Sequence, residues 1–161
     1  ASLGQGGGAG EWAAGAALLR VALGMLRREA PFDAPAYLPG QLDGHELAPT
    51  DKSLFLASTM KRLFLGMTPF WGPGAGPLAC TWLAPGASGL GWRLPALLFG
   101  RSAHLPQAAG YFSARGERVT LEVAEPWVID GEVYRSVGPL TLTAAAPRTF
   151  VALAGPGRKA A

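Results

Sequence analysis

The sequence predicts a mainly β fold with some α: an antiparallel β-sandwich preceded by one long helix and containing one short helix. Three observations carry this expectation. Glycine (23) and proline (14) together approach a quarter of the 161 residues, which is too many for a helical bundle and suits many turns between short strands. In "RVTLEVA", Val119, Leu121 and Val123 alternate with Thr120 and Glu122, the period-two pattern of a strand with one buried face. In "EWAAGAALLRVALGMLRREA", about residues 11 to 30, Trp12, Leu18, Leu19, Ala22, Leu23 and Leu26 recur at helical spacing.

Taken in order, residues 1 to 10 are a glycine-rich lead, and the helix at 11 to 30 ends in Arg27 and Arg28, which suit its C-terminal dipole, before Pro31 stops it. "AYLPGQLDG" reads as a strand ending in an Asp43-Gly44 turn. "SLFLAST", a continuous apolar run, reads as a buried strand, and "PLACTWLA" as another. "GWRLPALLF" reads as a short helix with Pro95 near its first turn. "GYFSA", "RVTLEVA", "PWVID", "EVYRSV", "LTLTAA" and "TFVALA" then follow as closely spaced strands with turn residues between them. No internal repeat stands out, and the length is that of one domain spanning residues 1–161.

Composition excludes several function classes. Hydrophobic residues are 49% and charged residues 16%, against disorder, and the net charge of +3 comes without any run of four Lys or Arg. A nucleic-acid partner, which calls for a dense basic stripe, is therefore not expected. Cys80 is the only cysteine, so an internal disulfide is ruled out, and its apolar setting predicts an inert buried thiol. No metal site is expected: His45 and His104 are far apart in sequence without clustered partners, and Glu46 beside His45 is no metal motif. The longest apolar segment, Trp12 to Leu26, is interrupted by Arg20 and falls short of the ~20 residues that span a bilayer. The opening "ASLGQGGG" has neither a signal-peptide pattern nor an initiating methionine and reads as an internal fragment or a trimmed chain.

Candidate sites are few. Gly4, Gly6 and Ala9 form a nominal G-x-G-x-x-A before a helix, but the dinucleotide fingerprint needs a preceding strand, so a loop is the better reading. Ser53, Ser58, Ser102, Ser113 and Ser136 lack the G-x-S-x-G context of a hydrolase. "MKRLFLGMTPFWGPGAG" sets Lys61 and Arg62 beside aliphatic and aromatic residues, and "GLGWRLPALLFGR" does the same with Trp92 and Arg93. Both fit either core filling or a membrane interface. In "EPWVIDGEVYR", Asp130-Gly131 between apolar runs is a strong two-residue hairpin signal. Glu132 follows at once, so two carboxylates stand two apart, close enough to raise each other's proton affinity and to divide the roles of base and metal or water holder.

"VTLEVAEPWVIDGEVY" followed by "GPLTLTAAAPRTFVAL" resembles the C-terminal, substrate-side half of the diacylglycerol kinase-like lipid kinases, a family that includes the YegS-type bacterial enzymes. The earlier segments run in compatible order, although only Asp130-Gly131-Glu132 is a motif in its own right. The resemblance implies a β-sandwich that faces the lipid in a two-domain enzyme transferring the γ-phosphate of ATP, with Mg²⁺, to a lipid hydroxyl. It implies that Asp130 or Glu132 accepts the hydroxyl proton or organises Mg²⁺, and that the lipid substrate is joined as partner by an N-terminal nucleotide-binding domain. A cytoplasmic location with peripheral contact at the inner membrane surface follows from the same resemblance. The family's Gly-Gly-Asp-Gly-Thr motif for ATP is absent here, so neither ATP nor Mg²⁺ is expected on this chain alone. Gly76-Pro77 also stands where the family commonly has Asp-Gly. The competing expectation is a β-sandwich binding module, or a degenerate relative of the kinases, in which Asp130-Gly131 is only a turn.

Overall fold

The computed structural model describes residues 34–63, 66–99, 105–129, 132–135 and 137–146. The expected helix at 11 to 30, the glycine-rich lead and the final strand "TFVALA" lie outside the described residues, as do Asp130, Gly131, His104, Ser102 and Ser136. The described chain is antiparallel β with one helix. Its strands are β1 (Ala36–Tyr37), β2 (Gly40–Leu42), β3 (His45–Glu46), β4 (Asp51–Lys52), β5 (Leu54–Ser58) and β6 (Leu78–Leu83), then β7 (Tyr111–Gly116), β8 (Arg118–Val123), β9 (Trp127–Ile129), β10 (Glu132–Tyr134) and β11 (Gly138–Thr143). The helix α1 (Leu90–Leu98) separates β6 from β7.

Two sheets carry the fold: a four-stranded one ordered β11-β8-β2-β3 and a three-stranded one ordered β5-β6-β7. Two short pairs, β1-β4 and β9-β10, stand beside them, and every pairing is antiparallel. The alternation in β8 works as its spacing predicts, with Val119, Leu121 and Val123 all buried. They form one hydrophobic cluster with Leu42 of β2 and with Leu78, Cys80 and Trp82 of β6, so both sheets bury a face in the same core. Trp82 stacks on Phe112 of β7 at 5.5 Å between ring centroids, a cross-strand aromatic pair at matched register.

β6 is buried along its whole length. Its other face, Ala79, Thr81 and Leu83, therefore needs a second cover. Leu83 joins Leu97 of α1 and Tyr111 of β7 in a separate cluster, against which Leu54, Trp71, Leu90 and Leu94 also pack. Thr81 sits under the segment before β6: its hydroxyl donates to the Pro69 carbonyl at 2.6 Å and lies 3.0 Å from Ser113 Oγ. Ser113 Oγ in turn donates to the Cys80 carbonyl and accepts from the Trp71 N–H. Buried hydroxyls are thus satisfied by the backbone they hold in place. The same segment continues alongside β7, where the Arg115 N–H donates to the Pro73 carbonyl at 2.9 Å. A Cβ at Gly72 would strike the Ser113 carbonyl, and one at Gly76 the Gly116 carbonyl, so only glycine lets the two backbones lie this close.

The helix forms where the sequence predicts it. β5 departs from its expectation: Leu54–Ser58 are half-buried rather than buried, and among the described residues β5 is the edge strand of its sheet.

Lys52 is 2% exposed, and its ammonium donates to the carbonyls of Leu38 (2.7 Å), Leu47 (2.9 Å) and Pro49 (2.7 Å), with Thr50 at 3.3 Å. One side chain thus ties the flank of β2 to the loop between β3 and β4. Burial lowers its pKa from 10.5 to about 8, against the opposing pull of Asp51 and Glu46, so it is still cationic at neutral pH. Replacing Lys52 by Met keeps the stem and removes the donor. An unsatisfied buried carbonyl costs about 1–3 kcal/mol, so urea unfolding should show a loss of at least ~3 kcal/mol. A loss below ~1 kcal/mol would mean that water serves these carbonyls instead. The unfolded chain holds this proton to higher pH than the folded one, so stability due to Lys52 rises between pH 8 and 10.5. The difference between wild type and the Met variant should widen across that window.

Candidate functional site

The hairpin of β9 and β10 carries the residues that the sequence singles out. Ile129 pairs with Glu132, Val128 with Val133 and Trp127 with Tyr134, so two residues connect the strands, as Asp130-Gly131 predicts. Asp130 itself lies outside the described residues.

Glu132 is exposed, and its carboxylate accepts from the Tyr134 hydroxyl at 3.1 Å. Two residues apart on one strand, these side chains share a face. Tyr134 also stacks on Trp127, with ring centroids 4.6 Å apart, and Trp127 packs against the main core. The ring stack anchors the hairpin, and the phenol orients the carboxylate. The opposite face presents Val128 and Val133, each 62% exposed. Chemically this is an oriented, solvent-accessible carboxylate at the tip of an apolar hairpin, able to accept a hydrogen bond from a hydroxyl. Among the described residues no group of three or more His, Cys, Asp and Glu converges on a point that would hold a metal. The described donor set therefore does not fit Mg²⁺ by itself.

A second Asp-Gly turn offers a comparison. Asp43 and Gly44 join β2 to β3 with φ of 49° and 83°, the paired positive values of a type I′ hairpin. The Asp43 carboxylate reaches across to the β7–β8 turn and accepts from the N–H groups of Glu117 (3.0 and 3.1 Å) and Arg118 (2.8 Å). These bonds hold its pKa below the usual 3.8. Here an Asp-Gly turn is a clasp between two hairpins.

Other sequence candidates are structural where they are described. Cys80 is buried, and desolvation pushes its thiol up to about 12, so the inert reading fits. His45 is exposed in β3, Ser113 belongs to the buried network, and Ser58 accepts from the Met60 N–H. In the segment before β6, Met67 and Pro69 are buried and Trp71 packs on the second cluster, so core filling is its main role. Trp92 on α1 points outward, at 73% exposed. Sequence reading passed over two features, Lys52 and a shallow groove of about 390 Å³ beside β2, β3 and β8, where Gln41, Glu46, Thr120 and Glu122 gather. Neither has a sequence signal: the carbonyls around Lys52 converge from two loops, and the groove forms between separate strands.

No family model, curated protein or solved structure matches the chain. Among the described residues no helix is long and apolar enough to cross a membrane.

The depressed pKa of Asp43 generates a prediction with a definite sign. Its contribution is complete above pH 3.8, the unfolded value, and is lost as pH falls through the lower folded value. Asp43→Asn should therefore lower the Tm at pH 6, and the deficit should shrink toward pH 2. A deficit constant across that range would show that the charge is irrelevant to the clasp. Cys80 should resist thiol reagents in the native protein and react on denaturation, and rapid native labelling would overturn its burial.

Proposed function

We propose that this chain is the acceptor-side half of a lipid kinase, incomplete by itself, which presents a lipid hydroxyl to the γ-phosphate of ATP held by a separate nucleotide-binding domain. The observation that carries this reading is the β9–β10 hairpin, with an accessible Glu132 carboxylate directly after the Asp130-Gly131 connection. In this reading the two sheets that share one core are the leaves of the family's β-sandwich, and Glu132 or Asp130 accepts the hydroxyl proton as the phosphoryl group transfers. Positioning and charge neutralisation dominate such chemistry, so closure of the two domains over the hairpin would complete the site. Nucleotide and Mg²⁺ belong on the partner domain, in keeping with the lack of a Gly-Gly-Asp-Gly-Thr motif in this sequence.

A second reading has its own support. Asp43-Gly44 demonstrates that an Asp-Gly turn in this chain can be purely structural. On that analogy the hairpin would belong to a non-catalytic binding module or a degenerate kinase relative.

The test uses the gene extended upstream to its natural start, labelled ATP, and diacylglycerol, sphingosine and phosphatidylglycerol as acceptors. The proposal expects transfer to one of them and a loss of at least ~100-fold in kcat for Asp130→Asn with Glu132→Gln, at unchanged Tm. Transfer that survives the double change would return the hairpin to structure. No transfer to any lipid would favour the binding module.

A further inference from the structure

We propose that α1 and the loop before residue 64 form a docking surface for an anionic lipid membrane. The inference does not rest on phosphoryl transfer; it rests on how apolar and charged groups are distributed over the surface.

α1 is apolar on both sides. Leu90, Leu94 and Leu97 face the second cluster. Trp92, Pro95 and Phe99 follow one another at spacings of three and four, which places them on a single stripe, and all three are exposed, Trp92 at 73% and Phe99 at 53%. At its C-terminal end this stripe meets the loop that precedes it in sequence. The Thr68 N–H donates to the Leu98 carbonyl at 2.7 Å, and the Leu63 N–H to the Met67 carbonyl at 2.7 Å. These bonds tie the loop that carries exposed Met60, Lys61 and Arg62 to the C-terminal end of α1. Arg93 sits with its guanidinium 4.4 Å from the Trp92 ring centroid and donates to the Ser88 carbonyl, which adds a cation beside the exposed indole.

Charge then selects the occupant. Residues 52 to 116 contain no Asp or Glu, yet carry Lys61, Arg62, Arg93, Arg101 and Arg115 besides the buried Lys52. An exposed Trp, Phe and Met set within an acid-free, basic region suits the boundary between headgroups and acyl chains of an anionic bilayer.

Co-sedimentation of the purified chain with vesicles, without ATP, tests the proposal whatever its catalytic role. Binding is expected to phosphatidylcholine vesicles containing phosphatidylglycerol, to be much weaker on phosphatidylcholine alone, and to fall as salt rises. Trp92→Ala with Phe99→Ala, and separately Lys61→Glu with Arg62→Glu, should each weaken partition on the order of tenfold. All four side chains are at the surface, and an unchanged Tm confirms that the variants fold. Equal binding to both vesicle types, undiminished binding by either variant, or no binding at all would overturn the proposal. So would a concentration-dependent dimer that Trp92→Ala dissociates, since the face would then belong to a second copy of the chain.

Discussion

The constraint on which the rest of the structure depends is that β6 has no face for solvent. All six residues from Leu78 to Leu83 are buried, so the strand needs an apolar cover on each side. The four-stranded sheet supplies one, through Val119, Leu121 and Val123. The helix and the segment running from Met67 to Gly76 supply the other, and that segment must bring its own hydrogen-bond partners. Thr81 and Ser113 are buried because they serve that purpose, and Gly72 and Gly76 allow the close approach. Two clusters on either side of one strand make the three-stranded sheet the rigid centre of the described chain.

Around that centre the surfaces differ in character. The β9–β10 hairpin packs against the main core through Trp127 and presents the exposed carboxylate of Glu132. The outward stripe of α1 lies within residues 52–116, a stretch without an acidic residue.

Much of this was legible in the sequence, and the misses have physical reasons. Alternation in "RVTLEVA" locates a one-sided strand because side chains in a strand switch faces at every residue, and all three valine and leucine positions are buried. Both Asp-Gly pairs announce two-residue hairpins, since few other residues adopt the positive φ such turns require. The continuous run in "SLFLAST" was misleading, because an apolar run does not reveal whether a strand has one neighbour or two. Lys52 had no signal at all, since its carbonyl partners come from four residues whose convergence exists only after folding. The two basic-aromatic segments looked alike in sequence. Packing sends Trp71 inward and leaves Trp92 outside, and the deciding factor is which face of β6 needed covering.

Native-state hydrogen exchange measures the central claim, that β6 is the two-sided core of this fold, most directly. Amides of Leu78–Leu83 should exchange only through global unfolding, with protection equal to the unfolding free energy, while those of Val128 and Val133 exchange by local opening. Exchange of the β6 amides as fast as those of the hairpin would contradict the account.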